Sequence, residues 1–347
     1  MFCPGSGTKQ AQPCVRREGE MNKRKLRSFA LCAMLFALCQ SAEAQQPKVP
    51  RVGYVFATTS SADSDLLIAI RQGLRELGYV EGRNIALEVR WAEGRYERFP
   101  ALVAELVHDR VDVLVVATTP IALAAKNATS TIPVVMVAVG DPVESGLVAS
   151  LARPGGNLTG LSLLNPELHG KRLELLKEVL PRMSRVATLI NPGNPIHAVF
   201  LKETQAAAQT LALRLQPVEV RGPEDFAKAF AAVASGHAEA IIALDDPLTL
   251  GYPTEIVALA AKHQLPTIYG FREFPEVGGL MSYGANRRDM YRRTTVFVDK
   301  ILKGAKPADL PVEQPTKFEF IINLKAAKQI GLTIPLNVLA RADRVIK

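Results

Sequence analysis

Eight apolar runs of four to eight residues, at 52–57, 85–91, 111–117, 132–139, 186–190, 213–220, 240–244 and 266–269, alternate with helical patterns through most of this chain. Each run is short, mostly apolar and bounded by Gly, Pro, Asn or Asp. That is the signature of strands buried on both faces of a sheet. Between them, Leu67, Ile70, Leu74 and Leu77 share one helical face before Gly78, as do Leu173, Leu176 and Leu180 before Pro181. Strand–helix alternation of this spacing implies right-handed βαβ units and parallel sheets. The alternation is interrupted once, over 140–170, with four βα units on each side, so two α/β lobes are expected. The segment 155–160 lacks the spacing of a dinucleotide or phosphate-binding loop and reads as a turn. The tail predicts a strand at 278–284, a helix at 289–302 and a strand at 318–322. Its path would return to the first lobe and cross again.

The leader is distinct. Met21 opens a basic run through Arg27, residues 28–39 form a short apolar core, and Ala42-Glu43-Ala44 has the small-x-small pattern of a processing site. Export through a signal peptide follows, with translation from Met21, cleavage after Ala44 and a soluble mature protein in the periplasm. All four cysteines (Cys3, Cys14, Cys32, Cys39) fall in that leader, so the mature chain needs no disulfide and offers no thiol nucleophile. The whole chain carries 42 basic and 34 acidic side chains, of which the first 44 residues hold seven and three. The remainder is therefore only mildly basic, at +4. With 6% aromatic residues it has no footprint for nucleic acid.

Ligands of open parallel sheets bind at the loops leaving the strand C-termini, and two facing lobes would enclose a cleft lined by such loops. On the first lobe these carry Thr58, then Thr118 and Thr119, then Asp141. On the second they carry Asn191 and Asn194, then Asp245 and Asp246, then Phe271 and Glu273. Thr118 and Thr119 suit an anion at a helix start, and Asp141, Asp245, Asp246 and Glu273 suit an ammonium. Helix capping and turn formation by the same residues remain equally open. Tyr54, Phe56, Tyr269, Phe271 and Tyr283 would wall an apolar side chain or simply fill the core. Five scattered histidines (His108, His169, His197, His237, His263) have no paired spacing and are expected at surface or helix positions, without a metal site. Arg287, Arg288, Arg292 and Arg293 read as a solvated or partner-facing helix face. No catalytic motif and no cofactor site is visible.

A series of segments is also familiar: 51–54 (RVGY), 78–84 (GYVEGRN), 141–147 (DPVESGL), 153–160 (RPGGNLTG), 272–274 (REF), 278–284 (GGLMSYG), 291–293 (YRR), 300–304 (KILKG), 310–319 (LPVEQPTKFE) and 321–325 (IINLK). Together they resemble the extracytoplasmic substrate-binding proteins of ABC importers related to tryptophan/tyrosine binding proteins. The resemblance spans about residues 50–347. It implies a type I periplasmic-binding-protein fold: two Rossmann-like lobes joined by three hinge crossovers, closing on a small-molecule ligand. The lobes would comprise 45–160 plus 285–315 and 161–284 plus 316–347. It also implies a monomer that meets the membrane only transiently, through an ABC permease driven by a separate ATPase. By analogy with relatives that bind aromatic amino acids, Thr118 and Thr119 would take a carboxylate. Asp141, Asp246 or Glu273 would take an ammonium, and Tyr54 or Phe271 would lie near the side chain. The ligand itself is left open between amino acids and aromatic or other carboxylates. An exported α/β enzyme and a sensory ligand-binding protein are the alternatives.

Overall fold

The computed structural model describes residues 48–163 and 167–347; the leader, with its basic run and processing site, lies outside the described residues. Five strands, β1 (Arg51–Phe56), β2 (Ala86–Trp91), β3 (Val113–Ala117), β4 (Val134–Val139) and β5 (Leu158–Ser162), form a parallel sheet in the order β2-β1-β3-β4-β5. Helices α1 (Ser64–Glu76), α2 (Phe99–His108) and α3 (Thr119–Ala128) connect them. The central strands β1, β3 and β4 are buried along almost their whole length, as their continuous apolar runs require. In α1 the buried stripe runs through Leu66, Ile70 and Leu74 rather than Leu67, and the helix ends at Gly78, which takes a φ of 88°.

The second sheet contains β6 (Arg185–Ile190), β7 (Arg214–Glu219), β8 (Ala240–Ala243), β9 (Thr267–Tyr269), β10 (Met281–Ala285), β11 (Phe318–Asn323) and β12 (Arg344–Ile346). Their order is β12-β11-β10-β9-β8-β6-β7, parallel except for the β10–β11 pair. Pro217 is tolerated in β7 because that strand lies at the sheet edge. The connecting helices are α4 (Glu167–Val179), α5 (His197–Thr210), α6 (Phe226–Ser235), α7 (Pro247–Gly251), α8 (Pro253–Lys262) and α9 (Glu273–Glu276). Helix α10 (Arg287–Leu302) follows β10 but packs on α1 and β4 of the first sheet. The chain then returns to β11, with the short helices α11 (Leu324–Gln329) and α12 (Leu336–Leu339) before β12.

The chain therefore passes between the sheets three times: after β5, after β10 and before β11. This is the two-lobed α/β architecture expected from the sequence. One reading is corrected: the glycine-rich 155–160 segment is not only a turn. Its second half enters β5, which pairs with β4, so the first passage starts after Ser162, two residues beyond the expected boundary.

Candidate functional site

The C-terminal ends of the two parallel sheets face each other across a small cavity of ≈ 30 Å³. From the first lobe it is lined by Thr118, Thr119, Ala138 and Gly140, with Arg287 and Tyr291 from the start of α10. Asn194, Ile196, Phe200, Asp245, Asp246, Leu250 and Phe271 line it from the second. Two of these residues, Thr118 and Ala138, are non-glycine positions with positive φ, at 66° and 54°. Such backbone is costly and persists where the surroundings impose it. At Ala138 the β4–β5 register shifts, and this bulge turns the end of β4 toward the cavity.

The lobes touch closely around it. A Cβ on Gly140 would lie 2.5 Å from Ile196 Cγ1 and 3.0 Å from Phe200 Cζ, so the cleft has no room for a methyl group there. A Cβ on Gly251 would lie 2.9 Å from the Cα of Gly94. Beside that contact the Tyr96 hydroxyl donates to Asp246 Oδ2 at 2.7 Å. Burial, followed by the charge and hydrogen bond of Asp246, pushes the Tyr96 pKa up, so the hydroxyl keeps its proton.

Asp246 is buried at 3% exposure, yet it is fully engaged by the protein. Its Oδ1 accepts from the Leu248 amide (2.8 Å) and Asn191 Nδ2 (3.2 Å), and its Oδ2 accepts from Asn194 Nδ2 (2.8 Å) as well as Tyr96. The Asn191 amide donates to His197 Nδ1 at 2.8 Å, which leaves the ring proton on Nε2, 3.3 Å from Asp246 Oδ2. Behind this network, fully buried Arg172 binds Asp245 Oδ2 (2.9 Å) and the Tyr283 carbonyl (2.8 Å).

A second ionic group joins the lobes. Arg287, 5% exposed, donates to Asp63 Oδ1 at 3.1 Å and to Glu273 Oε1. Thr58 is buried beneath it and donates to Asp63 Oδ2. Burial opposes the Arg287 charge, but Glu273 and Asp63 more than offset this, so its pKa is raised. A cation so deeply enclosed persists only because both carboxylates remain with it.

Against the sequence expectations, Thr118, Thr119, Asn194, Asp246 and Phe271 line the cavity. Thr58, Asn191 and Glu273 stand one layer behind, holding Asp63, Asp246 and Arg287 respectively. Tyr54 is a core residue stacked on Phe56 at 6.2 Å. Asp141 Oδ1 caps its own turn, accepting from the amides of Val143 and Glu144. One expectation is corrected. Arg287 is not a solvated helix face; only Arg288, Arg292 and Arg293 behave so, the last two paired with Glu76 and Glu313. His169 and His197 lie in helices, as expected, and are buried behind the cavity. Tyr291, Tyr96 and Arg172 escaped sequence reasoning, because no local pattern separates them from other helix and loop residues.

Four cavity-lining residues carry buried polar atoms without a protein partner: Thr118 Oγ1 and Tyr291 OH on one wall, Asn194 Oδ1 and Asp245 Oδ1 on the other. Orphaned buried polar atoms are rare in native structures, and their convergence marks a place for a polar guest. No cluster of His, Cys, Asp and Glu among the described residues could hold a metal ion. Nor is any described helix long and apolar enough to cross a membrane.

A family model described as ABC transporter substrate binding protein matches residues 60–346. The chain belongs to that family. Substrate-binding proteins of this kind capture a solute rather than transform it, which agrees with the absence of any catalytic motif from the sequence. The tyrosine-binding protein of Clostridioides difficile (strain R20291) is 26% identical over 262 residues, 75% of each chain. A conserved domain protein from Vibrio cholerae o1 biovar eltor is 30% identical with a TM-score of 0.81, covering 86% of this chain and 100% of that one. An ABC domain from Streptococcus pneumonia in complex with L-Trp is 29% identical with a TM-score of 0.79, covering 86% and 99%.

Proposed function

We propose that this substrate-binding protein is the periplasmic receptor of an ABC importer and captures a small amino acid between its lobes. The observation that carries the reading is the opposition of orphaned polar atoms across the cavity. On the first lobe, the Thr118 and Tyr291 hydroxyls sit beside the N-terminus of α3, a setting for a carboxylate. On the second lobe, Asn194 Oδ1 and Asp245 Oδ1 are acceptors suited to an ammonium. Asp245 and Asn194, at the cavity wall, take the place first given to Asp141 and Asp246, whose carboxylates already serve the protein, and to Glu273, which stands behind the cavity on Arg287. A zwitterion spanning both walls binds the closed form better than the open one, and only such a difference drives closure. Relatives named for tyrosine and bound to L-Trp support an amino acid.

The leader ending at Ala44 supports export, with the mature N-terminus at Gln45, and the family supports a permease and its ATPase as partners of a monomer. The hinged halves are the two sheets with their helices, α10 moving with the first. Thermal shift of the purified protein against the twenty amino acids tests the reading. A true ligand at 100 times its Kd stabilises by about 2.7 kcal/mol, and Thr118→Val should remove most of that shift. No shift with any amino acid would refute it.

A further inference from the structure

We propose that Arg287 sets which solute the cavity accepts, excluding an aromatic side chain and leaving room for a neutral aliphatic one between alanine and valine in size. The proposal rests on the amino-acid reading above. Trp91 stacks on Phe56 with ring centroids 4.4 Å apart, and Phe56 stacks on Tyr291 at 5.4 Å with only 4° between their planes. The Arg287 guanidinium lies over the Tyr291 ring at 5.8 Å and over the Phe271 ring at 5.4 Å. A column of π-faces thus runs from the edge of the first sheet to the loop after β9. Its gap at the cavity, where a ligand ring would stack, is filled by a side chain of the protein itself.

That plug is held firmly. Asp63 on the first lobe and Glu273 on the second both bind the guanidinium, and displacing it would leave two buried carboxylates without their cation. The remaining wall is aliphatic, made by Ala138, Leu163, Ile196 and Leu250. Phe200, the third aromatic residue at the cavity, carries the His169 ring against it at 4.7 Å. The space is also short, since Gly140 is pressed against Ile196 and Phe200. The free volume between the walls is only ≈ 30 Å³. It takes a small side chain with slight opening, but not an indole.

Isothermal titration of the purified protein with L-alanine, L-valine, L-phenylalanine and L-tryptophan tests the proposal. L-alanine or L-valine is expected to bind at least about tenfold more tightly than either aromatic amino acid, the scale on which a pocket resolves side-chain size. The charge-neutral variant D63N/E273Q/R287A removes the plug together with the groups that hold it, and its preference should move toward L-phenylalanine by about tenfold. If that variant lacks a native circular dichroism spectrum, R287K replaces it, because an ammonium cannot cover both rings and the shift should keep its direction. A wild-type preference for L-phenylalanine or L-tryptophan overturns the proposal and leaves the amino-acid reading intact. A folded variant that gains no affinity for L-phenylalanine also overturns it. Binding of none of the four overturns it too, and silence across all twenty amino acids overturns the amino-acid reading as well.

Discussion

The Tyr96 hydroxyl, in the loop leaving β2, donates at 2.7 Å to Asp246, the N-cap of α7, 150 residues further along the chain. Its other partners all come from the second lobe: Asn191, Asn194 and the Leu248 amide fix the Asp246 carboxylate. On the proposed closure, the first lobe adds one charge-assisted hydrogen bond to a finished cradle, at the rim of the cavity rather than inside it.

Tyr96→Phe should leave each lobe folded and loosen their closure. A hydrogen bond to a charged group contributes about 1.5–3 kcal/mol, so ligand affinity should fall roughly tenfold or more. Calorimetric titration checks this, and an unchanged Kd would show that the contact contributes nothing to capture.

Gly251→Ala places a methyl group where the Gly94 Cα lies 2.9 Å away, and backbone on the opposite lobe cannot yield as a flexible side chain would. The ligand-free protein should keep its Tm within a few degrees while affinity drops. Small-angle scattering with saturating ligand should then report a more open particle than wild type.

Asp246→Ala removes the acceptor of several buried donors at once. Stranding them should destabilise the protein by about 3–5 kcal/mol, the usual cost of breaking a buried charged network. Urea unfolding measures this, and a loss below about 1 kcal/mol would mean that the donors find other partners.

Acid should weaken the fold through His169. Burial, then the positive charge of Arg172 and the nearby His197, hold its pKa well below the ordinary 6.5. Above that value the ring is neutral whether the chain is folded or unfolded, and it contributes no pH dependence. As pH falls through 6.5, the unfolded chain takes up a proton that the folded one refuses, so stability declines. From pH 6.5 to 5.5 this one group should cost about 1 kcal/mol. His169→Gln should flatten that part of the profile in urea unfolding at the two pH values.

The strands and helices were legible because their causes are local. The apolar runs that became β1, β3, β4 and β8 are buried along nearly all their length, and Gly78 and Pro181 stop helices for reasons of backbone chemistry alone. The cleft loops were legible too, since parallel strands must release their chain at one end. Strand β5 was hidden behind the glycine-rich residues that lead into it, because its strand character comes from pairing with β4.

What the sequence determined by itself was the alternation, the two-lobe class and the set of loops that could meet a ligand. Which residues in those loops remain free was decided only by the tertiary structure. Asp246 looks like an ammonium receiver in the sequence and is consumed by Tyr96 and its own lobe, Glu273 holds Arg287 behind the cavity, and Asp245 and Asn194 keep an unpartnered oxygen at the cavity wall. Arg287 reads as one of four surface arginines until its helix brings it to Asp63, 224 residues away. Hydrogen-bond partners and burial depend on groups distant along the chain, and no local pattern encodes that distance.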